Sequence, residues 1–375
     1  MVADYQRVID TKSELFIRDV SVPREDRYPI HIGRGLLDQW PVHLDGLADV
    51  SAARVWVVTD TNVWRVLGGR FMAAAGAGQR VQRVLHLEPG ERSKSVEGWL
   101  RILSWLAEMK VRRRDVLLAL GGSVVSDTAG FAAAAFMRGI RYVNVPTSLL
   151  AQVDGSVGGK VAVNMPSAKN LIGAFHHPSV VLIDPTVLTS LPRVELSNGM
   201  AEVIKSFAIS PDGKFGDLLD RIPGCLNGDV EMLFWVVRTA VSQKMDLVGL
   251  DPYERDLNRV LNFGHTLGHA IEAYRQYRDI RHGLAVAIGI ACAVRLGLNR
   301  GVTAPDAADL IFAALRAAGL PTTLPAEDVP GVVELLETIM AVRDGRLRFV
   351  LPRCIGQLEF ADDVTPDELA KAAAG

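Results

Sequence analysis

The hydrophobic period changes once along this chain, near residue 190, and that change limits the fold more than any other feature. Before it, apolar residues come in short strand-length runs separated by stretches of helical spacing. VWVVTD (55–60) is such a run and ends in a turn at Asp-Thr-Asn. VQRVLHL follows and stops at Pro-Gly, residues 94–109 carry helical spacing, VLLALGG (116–122) stops on two glycines, TAGFAAAAF reads as a helix and YVNVP (142–146) as the next strand. Strand–helix–strand order at these lengths predicts a parallel sheet covered by helices on both faces. From Leu191 the apolar positions keep a helical period almost throughout, broken only by a short β element in LRFVLPRCIGQLEF (347–360). The expectation is therefore two domains, an α/β unit over 1–190 and a mainly helical one over 191–375, with Pro185 and Pro192 marking the junction and the final AKAAAG fraying.

Bulk chemistry narrows the partners. The formal net charge of −2 argues against a basic footprint for nucleic acid or membrane. Cys225, Cys292 and Cys354 are scattered singly, with no CxxC pair, which fits a reducing cytoplasm better than a disulfide framework. The start, MVADYQRVIDTKSELF, is charged and has no apolar core of a secretory signal. The apolar stretch from Gly283 to Val294 is too short to span a bilayer and reads as a buried helix.

LNFGHTLGHAIEA (261–273) sets His265 and His269 four residues apart, on one face of a helix. This is half of HExxH, but Thr266 stands where a zinc protease has its glutamate. His282 follows in RHG, and Glu202 lies upstream in NGMAEVIK. Two imidazoles and a carboxylate with positions left open form a catalytic rather than a structural metal set. On spacing alone, hydrogen-bonded core histidines are the commoner explanation of the pattern.

Gly121 and Gly122 stand between a strand and a helix, where backbone N–H groups can approach a pyrophosphate. Asp127 could accept a hydrogen bond from a nicotinamide or ribose. Asp60 and Asn62 after the first strand, and Glu91 and Lys94 in EPGERSK, are further candidates for adenosine and ribose contacts. The strict GxGxxG is absent, so a plain strand-to-helix turn stays open. The segment 138–178 is glycine-rich and apolar, yet holds Arg138, Lys160, Lys169 and Asn170 at loop-like positions, with Asp154 among them. Cations in such a loop suit a phosphorylated substrate. Lys205 sits three residues after Glu202, and Lys244 lies in the helix before the histidines.

GGSVVSDTAGF, RGIRYVNVPTSLLAQVDGSVGGK, KNLIGAFHHP, LSNGMAEVIK and LNFGHTLGHAIEA occur in an order that resembles the sugar-phosphate cyclases, typified by 3-dehydroquinate synthase. The resemblance covers roughly residues 50–360. It implies a Rossmann-like α/β NAD-binding domain, an all-α C-terminal domain and an active site in the cleft between them. It implies one divalent metal, zinc or cobalt, on Glu202, His265 and His282. NAD contacts fall on Asp127, Thr147 and Ser148, with Lys169 on the cofactor side. Asp154, Lys160, Asn170, Lys205, Lys244, Asn262 and His269 would line the substrate site, with Arg138 near the phosphate, and the family often forms homodimers. The implied chemistry oxidises a metal-bound hydroxyl with NAD+, eliminates phosphate, returns the hydride and closes a carbocycle by intramolecular aldol. Lys160 and Lys205 would stabilise developing oxyanions, and His269 would shuttle a proton.

Departures from the family pattern bear on the substrate. Asn258 stands where dehydroquinate synthases carry an arginine for the substrate carboxylate, and ETIMAVRDGRLRFVLP lacks their Asp-Lys-Lys. Charge-assisted bonds are worth about 1.5–3 kcal/mol each, so a substrate without a carboxylate is favoured. The C-terminal stretch and ELSNGMAEVIK are similar to sedoheptulose 7-phosphate cyclases such as 2-epi-5-epi-valiolone synthases, which serve natural-product (cyclitol) pathways. That group usually replaces the second histidine, which is kept here as His269. Leu284 replaces a glutamate after HG, and Ser123 a third glycine. The 2-deoxy-scyllo-inosose synthases tend to carry a glutamate where Asn262 stands. Dehydroquinate synthase proper and a catalytically silent binding or regulatory homologue remain as alternatives. Metal-dependent alcohol dehydrogenases share the domain plan but lack the basic loop.

Overall fold

A computed structural model describes residues 27–74, 76–165, 168–249, 251, 253, 260–342 and 348–375. Asn258 lies outside the described residues, as do residues 343–347. The strands are β1 (Ile30–Ile32), β2 (Val55–Asp60), β3 (Val81–Leu87), β4 (Val116–Gly121), β5 (Arg141–Pro146), a hairpin of β6 (Lys160–Met165) and β7 (Ala168–Phe175), then β8 (Val180–Ile183), and near the end β9 (Phe349–Cys354) and β10 (Gln357–Ala361).

Six of them form one parallel sheet in the order β1-β8-β5-β4-β2-β3. Taken without β1, this is the doubly wound order 2-1-3-4-5. Its switch point lies between β2 and β4, and ligands bind outside the carboxyl ends of the strands there. Successive side chains of a strand point to opposite faces. Val55, Val57, Val116, Leu118 and Leu120 pack with Trp40 and Phe71 on one face. Trp56, Val58, Leu117 and Ala119 pack with Ile102, Leu106 and Ala129 on the other. Burial on both faces is why β4 is apolar throughout and β2 from Val55 to Val58.

Among the described residues, the second half is helical apart from the antiparallel β9–β10 hairpin. Its core takes in Leu149, Val153, Val157, Val181 and Ile183, so packing runs across the change of period at 190. The helix His282–Asn299 is long and apolar enough to cross a membrane, but Ala285 through Val294 are buried inside the protein. Two close approaches seat it. Gly264, at φ +79°, caps the helix His265–Tyr274, and a Cβ at Gly289 would fall 1.9 Å from the Gly264 carbonyl oxygen.

Two expectations are corrected. The basic glycine-rich segment is a hairpin, not a loop: Lys160 opens β6, while Lys169 and Asn170 lie in β7. Val161 and Val163 face the core beside the helix Ser123–Ala135, an alternation that the flanking glycines hid. The C-terminal tail does not fray. Thr365 and Glu368 form a capping box on the helix Pro366–Ala374, whose Leu369, Ala372 and Ala373 are buried.

Gly289→Ala forces a methyl into the Gly264 backbone. Overpacking of this kind costs about 1–3 kcal/mol. Thermal unfolding should show a lowered Tm, and an unchanged Tm would contradict the packing.

Candidate active site

Three helices bring one carboxylate and two imidazoles together. Glu202 projects from the middle of the helix Arg193–Ile209, while His265 and His282 are the first residues of theirs. One ligand atom from each lies within 4.8 Å of the other two. His265 Nε2 is 3.3 Å and His282 Nε2 3.4 Å from Glu202 Oε1. His265 Nδ1 is 3.1 Å from the Phe263 carbonyl oxygen, which can only accept, so Nδ1 carries a proton and Nε2 is the ring nitrogen turned to Glu202. Neither oxygen of Glu202 receives a hydrogen bond of normal geometry, although Lys205 Nζ is 2.5 Å from Oε2. A buried carboxylate without a hydrogen-bond partner, faced by two imidazole nitrogens, fits a divalent cation, and Glu/His/His is a donor set for Zn2+ or Co2+.

The surrounding charges are strongly biased. Burial alone would raise the pKa of Glu202, but Lys205 and His265 hold it well below the usual carboxylate range. Burial alone would lower His282, but the carboxylates of Glu202 and Glu272 on its two ring nitrogens outweigh it and raise the value to about 9 without a cation. His269 is exposed, with its ring 5.1 Å from that of His265. Its surroundings and then the neighbouring His265 push its pKa down. Lys244 Nζ donates to Asp154 Oδ1 at 2.8 Å and to the Asp154 carbonyl at 2.6 Å. Burial would raise the pKa of Asp154, but Lys244 and Lys205 hold it down, so Asp154 senses the same cluster. Asn262 closes the turn Val260–Asn262 just before the histidines.

The dinucleotide candidates gather at the carboxyl ends of β2 to β5. Gly121 ends β4, and a Cβ there would stand 2.5 Å from Val125 Cβ, so the tight turn requires glycine. Gly122 then caps the helix Ser123–Ala135, leaving N-terminal N–H groups free of intrahelical partners. Thr147 N donates to the Gly121 carbonyl at 2.9 Å, and Ser148 Oγ accepts from Ala151 N at 3.3 Å. Asp60 caps the helix Thr61–Ala73 by accepting from Asn62 N and Val63 N. Lys94 is a buried ion-pair partner of Asp127 rather than a solvated loop residue. Asn164 Nδ2 donates to Glu91 Oε1 at 2.8 Å, and Asn170, at φ +53°, donates its N–H to Asn164 Oδ1. Lys160, on β6, is exposed.

Arg138 is not brought to this cluster. It is exposed in the turn Phe136–Arg138, at the opposite end of β5 from Thr147, about 20 Å of strand away. The sequence reading also missed Glu272, which is buried and bonded to Lys169 Nζ at 2.6 Å and His282 Nδ1 at 3.1 Å. Its signal was its spacing, seven residues after His265 and three after His269 on one helix.

Comparison with known proteins agrees with this arrangement. Residues 84–198 match the model of the 3-dehydroquinate synthase N-terminal domain, and residues 199–340 that of the C-terminal domain. A 2-epi-valiolone synthase of Actinosynnema mirum is 42% identical over 363 residues, covering 94% of this chain and 93% of that protein. A 3-dehydroquinate synthase of Synechococcus sp. is 40% identical over 356 residues, covering 93% and 96%. The solved structure of a 2-epi-5-epi-valiolone synthase from Streptomyces hygroscopicus, with NAD+ and Zn2+ bound, superposes with a TM-score of 0.85 at 28% identity, covering 95% of this chain and 98% of that one. Fold and site thus define an enzyme of the phosphate-eliminating, ring-closing lyase class. Within that class, the chain belongs to the 3-dehydroquinate synthase family.

Lys244→Met strips Asp154 of its nearest cation. Hydrogen bonds to charged groups are worth about 1.5–3 kcal/mol, so denaturation at pH 7 should show a loss of that order. The pKa of Asp154 is depressed in the fold, so its contribution is present above the unfolded value and fades as pH falls through the folded one. The gap between wild type and variant should therefore be full at pH 7 and shrink below about pH 4. A gap that does not change with pH would contradict the pairing.

Proposed function

We propose that this chain is an NAD- and divalent-metal-dependent sugar-phosphate cyclase acting on sedoheptulose 7-phosphate, in the manner of epi-valiolone synthases of secondary metabolism. The observation that carries the reading is the convergence of Glu202, His265 and His282 within 4.8 Å, in a chain whose β4 ends in a glycine turn at the switch point of a doubly wound sheet. The substrate choice rests on Asn258 and the missing Lys-Lys, because relatives of both names match at nearly equal identity. His269 is the one residue that favours the alternative, 3-dehydroquinate synthase.

When bound, NAD supplies reversible hydride acceptance and Zn2+ or Co2+ polarises a substrate hydroxyl. Glu202, His265 and His282 hold the cation. The Gly121–Gly122 turn and the helix N-terminus behind it receive the dinucleotide phosphates, with Asp60, Asn62, Glu91, Lys94, Asp127, Thr147, Ser148 and Lys169 around the rest. Lys205, fixed against Glu202, places a positive charge where oxygen charge develops, and Lys160 meets the substrate from β6. Neutral His269 accepts and returns a proton at a ring nitrogen. Asp154 with Lys244, Asn170 and Asn262 orient hydroxyls, and Asn258 removes the carboxylate grip. Arg138, remote in its own chain, serves the phosphate only across a homodimer, which is part of this reading. Cys225 and Cys292 are buried free thiols, which suits a reducing cytoplasm.

Inorganic phosphate release, measured with NAD and Zn2+ or Co2+, tests the substrate. Sedoheptulose 7-phosphate should turn over, and glucose 6-phosphate and the shikimate-route keto acid phosphate should not. Turnover of the keto acid alone would establish the alternative, and no turnover of any would favour a silent homologue. Elemental analysis tests the ligands. His265→Ala should lose the metal, whereas His269→Ala should retain it and lose rate by about 10²–10⁴-fold, the usual worth of acid–base help. Equal metal in His265→Ala and wild type would overturn the assignment.

A further inference from the structure

Glu272 is a buried carboxylate for which the proposed reaction has no direct use, yet it touches both sides of the site. It lies on the His265–Tyr274 helix, 3% exposed, and its Oε1 takes both Lys169 Nζ and His282 Nδ1. His282 Nε2 points the other way, to Glu202. A neutral imidazole has one N–H. A carboxylate on Nδ1 keeps the proton there and leaves the Nε2 lone pair for a cation.

The turn between the two histidine helices is held in the same way. Gln276, Tyr277 and Asp279 sit at φ +53°, +57° and +60°, a left-handed region that non-glycine residues adopt only when their surroundings hold them there. Tyr277 N donates to the Glu272 carbonyl at 2.8 Å, and Tyr277 Oη accepts from Lys169 N at 3.1 Å. This strained turn delivers His282. The far side of the hairpin reaches the dinucleotide candidates, because Asn164 N donates to the Lys94 carbonyl at 2.9 Å and Lys169 Nζ is 3.9 Å from Glu91 Oε1.

We propose that Glu272 is a positioning residue. It fixes the tautomer and ring direction of His282 as a cation ligand and, through Lys169 on β7, ties the cation site to the dinucleotide side. This deepens the metal-site reading above and rests on it. An isolated buried carboxylate would be costly, and Lys169 is the compensating charge that lets it sit behind His282.

The test is metal affinity of the full chain, stripped of metal and titrated with Zn2+ or Co2+ against a chromophoric chelator. Wild type, Glu272→Ala, Glu272→Gln and His282→Ala are compared, with circular dichroism to confirm folding. Removing such a partner typically weakens binding about 10–100-fold, so Glu272→Ala should lose affinity by that factor and alter the visible Co2+ spectrum. Glu272→Gln, whose amide oxygen can still accept from Nδ1–H, should fall between Glu272→Ala and wild type. If Glu272→Ala does not fold, Glu272→Gln carries the test. Wild-type affinity and spectrum in the folded Glu272 variants, with binding lost in His282→Ala, would overturn the positioning role and leave the ligand set standing. Equal binding by wild type and His282→Ala would overturn both.

Discussion

The site depends on one buried negative charge. Glu202 is 1% exposed, inside a helix whose residues are buried from Asn198 to Ile209. A carboxylate there costs several kcal/mol unless charges of opposite sign surround it. Lys205 supplies one of them from the next turn of the same helix, and His265 and His282 close the remaining side. Both imidazoles begin helices. Imidazole nitrogens that can give up a proton to a cation beside a carboxylate form a ligand set rather than an ordinary ion pair. The close crossing of Gly289 over Gly264 then acquires a purpose, because it sets where His265 starts.

A second constraint joins the two halves. The sheet brings the ends of β2 and β4 to a switch point, but the helices that carry the cation ligands belong to a different core. The β6–β7 hairpin spans them. At one end Asn164 meets Glu91 and Lys94, and on the neighbouring strand Lys169 meets Glu272. A hydride acceptor and a polarising cation must sit side by side on one substrate, and this bridge holds the two sides in register.

Much of this was legible in the sequence, for physical reasons. Uninterrupted apolar runs such as VLLALG mark strands buried on both faces, and the change to helical period marks the second half. The two histidines at i and i+4 were visible, but their roles were not, since spacing alone puts both on one face. The structure separates them: His265 faces Glu202, while His269 is exposed beside it. The hairpin was hidden because glycines at 155, 158, 159 and 173 resemble loop composition, although Gly173 packs against the Val161 carbonyl. The Lys94–Asp127 and Lys169–Glu272 pairs join residues 33 and 103 positions apart, a separation at which local pattern carries no information. The capped last helix was misread because AKAAAG was taken without the Thr-Pro-Asp-Glu before it.

The most direct measurement is anomalous diffraction at the cobalt edge from crystals grown with Co2+. The account predicts a single strong peak about 2.0–2.2 Å from a Glu202 oxygen and the Nε2 atoms of His265 and His282. A peak elsewhere, or Glu202 still bonded to Lys205 with no density between the imidazoles, would contradict it.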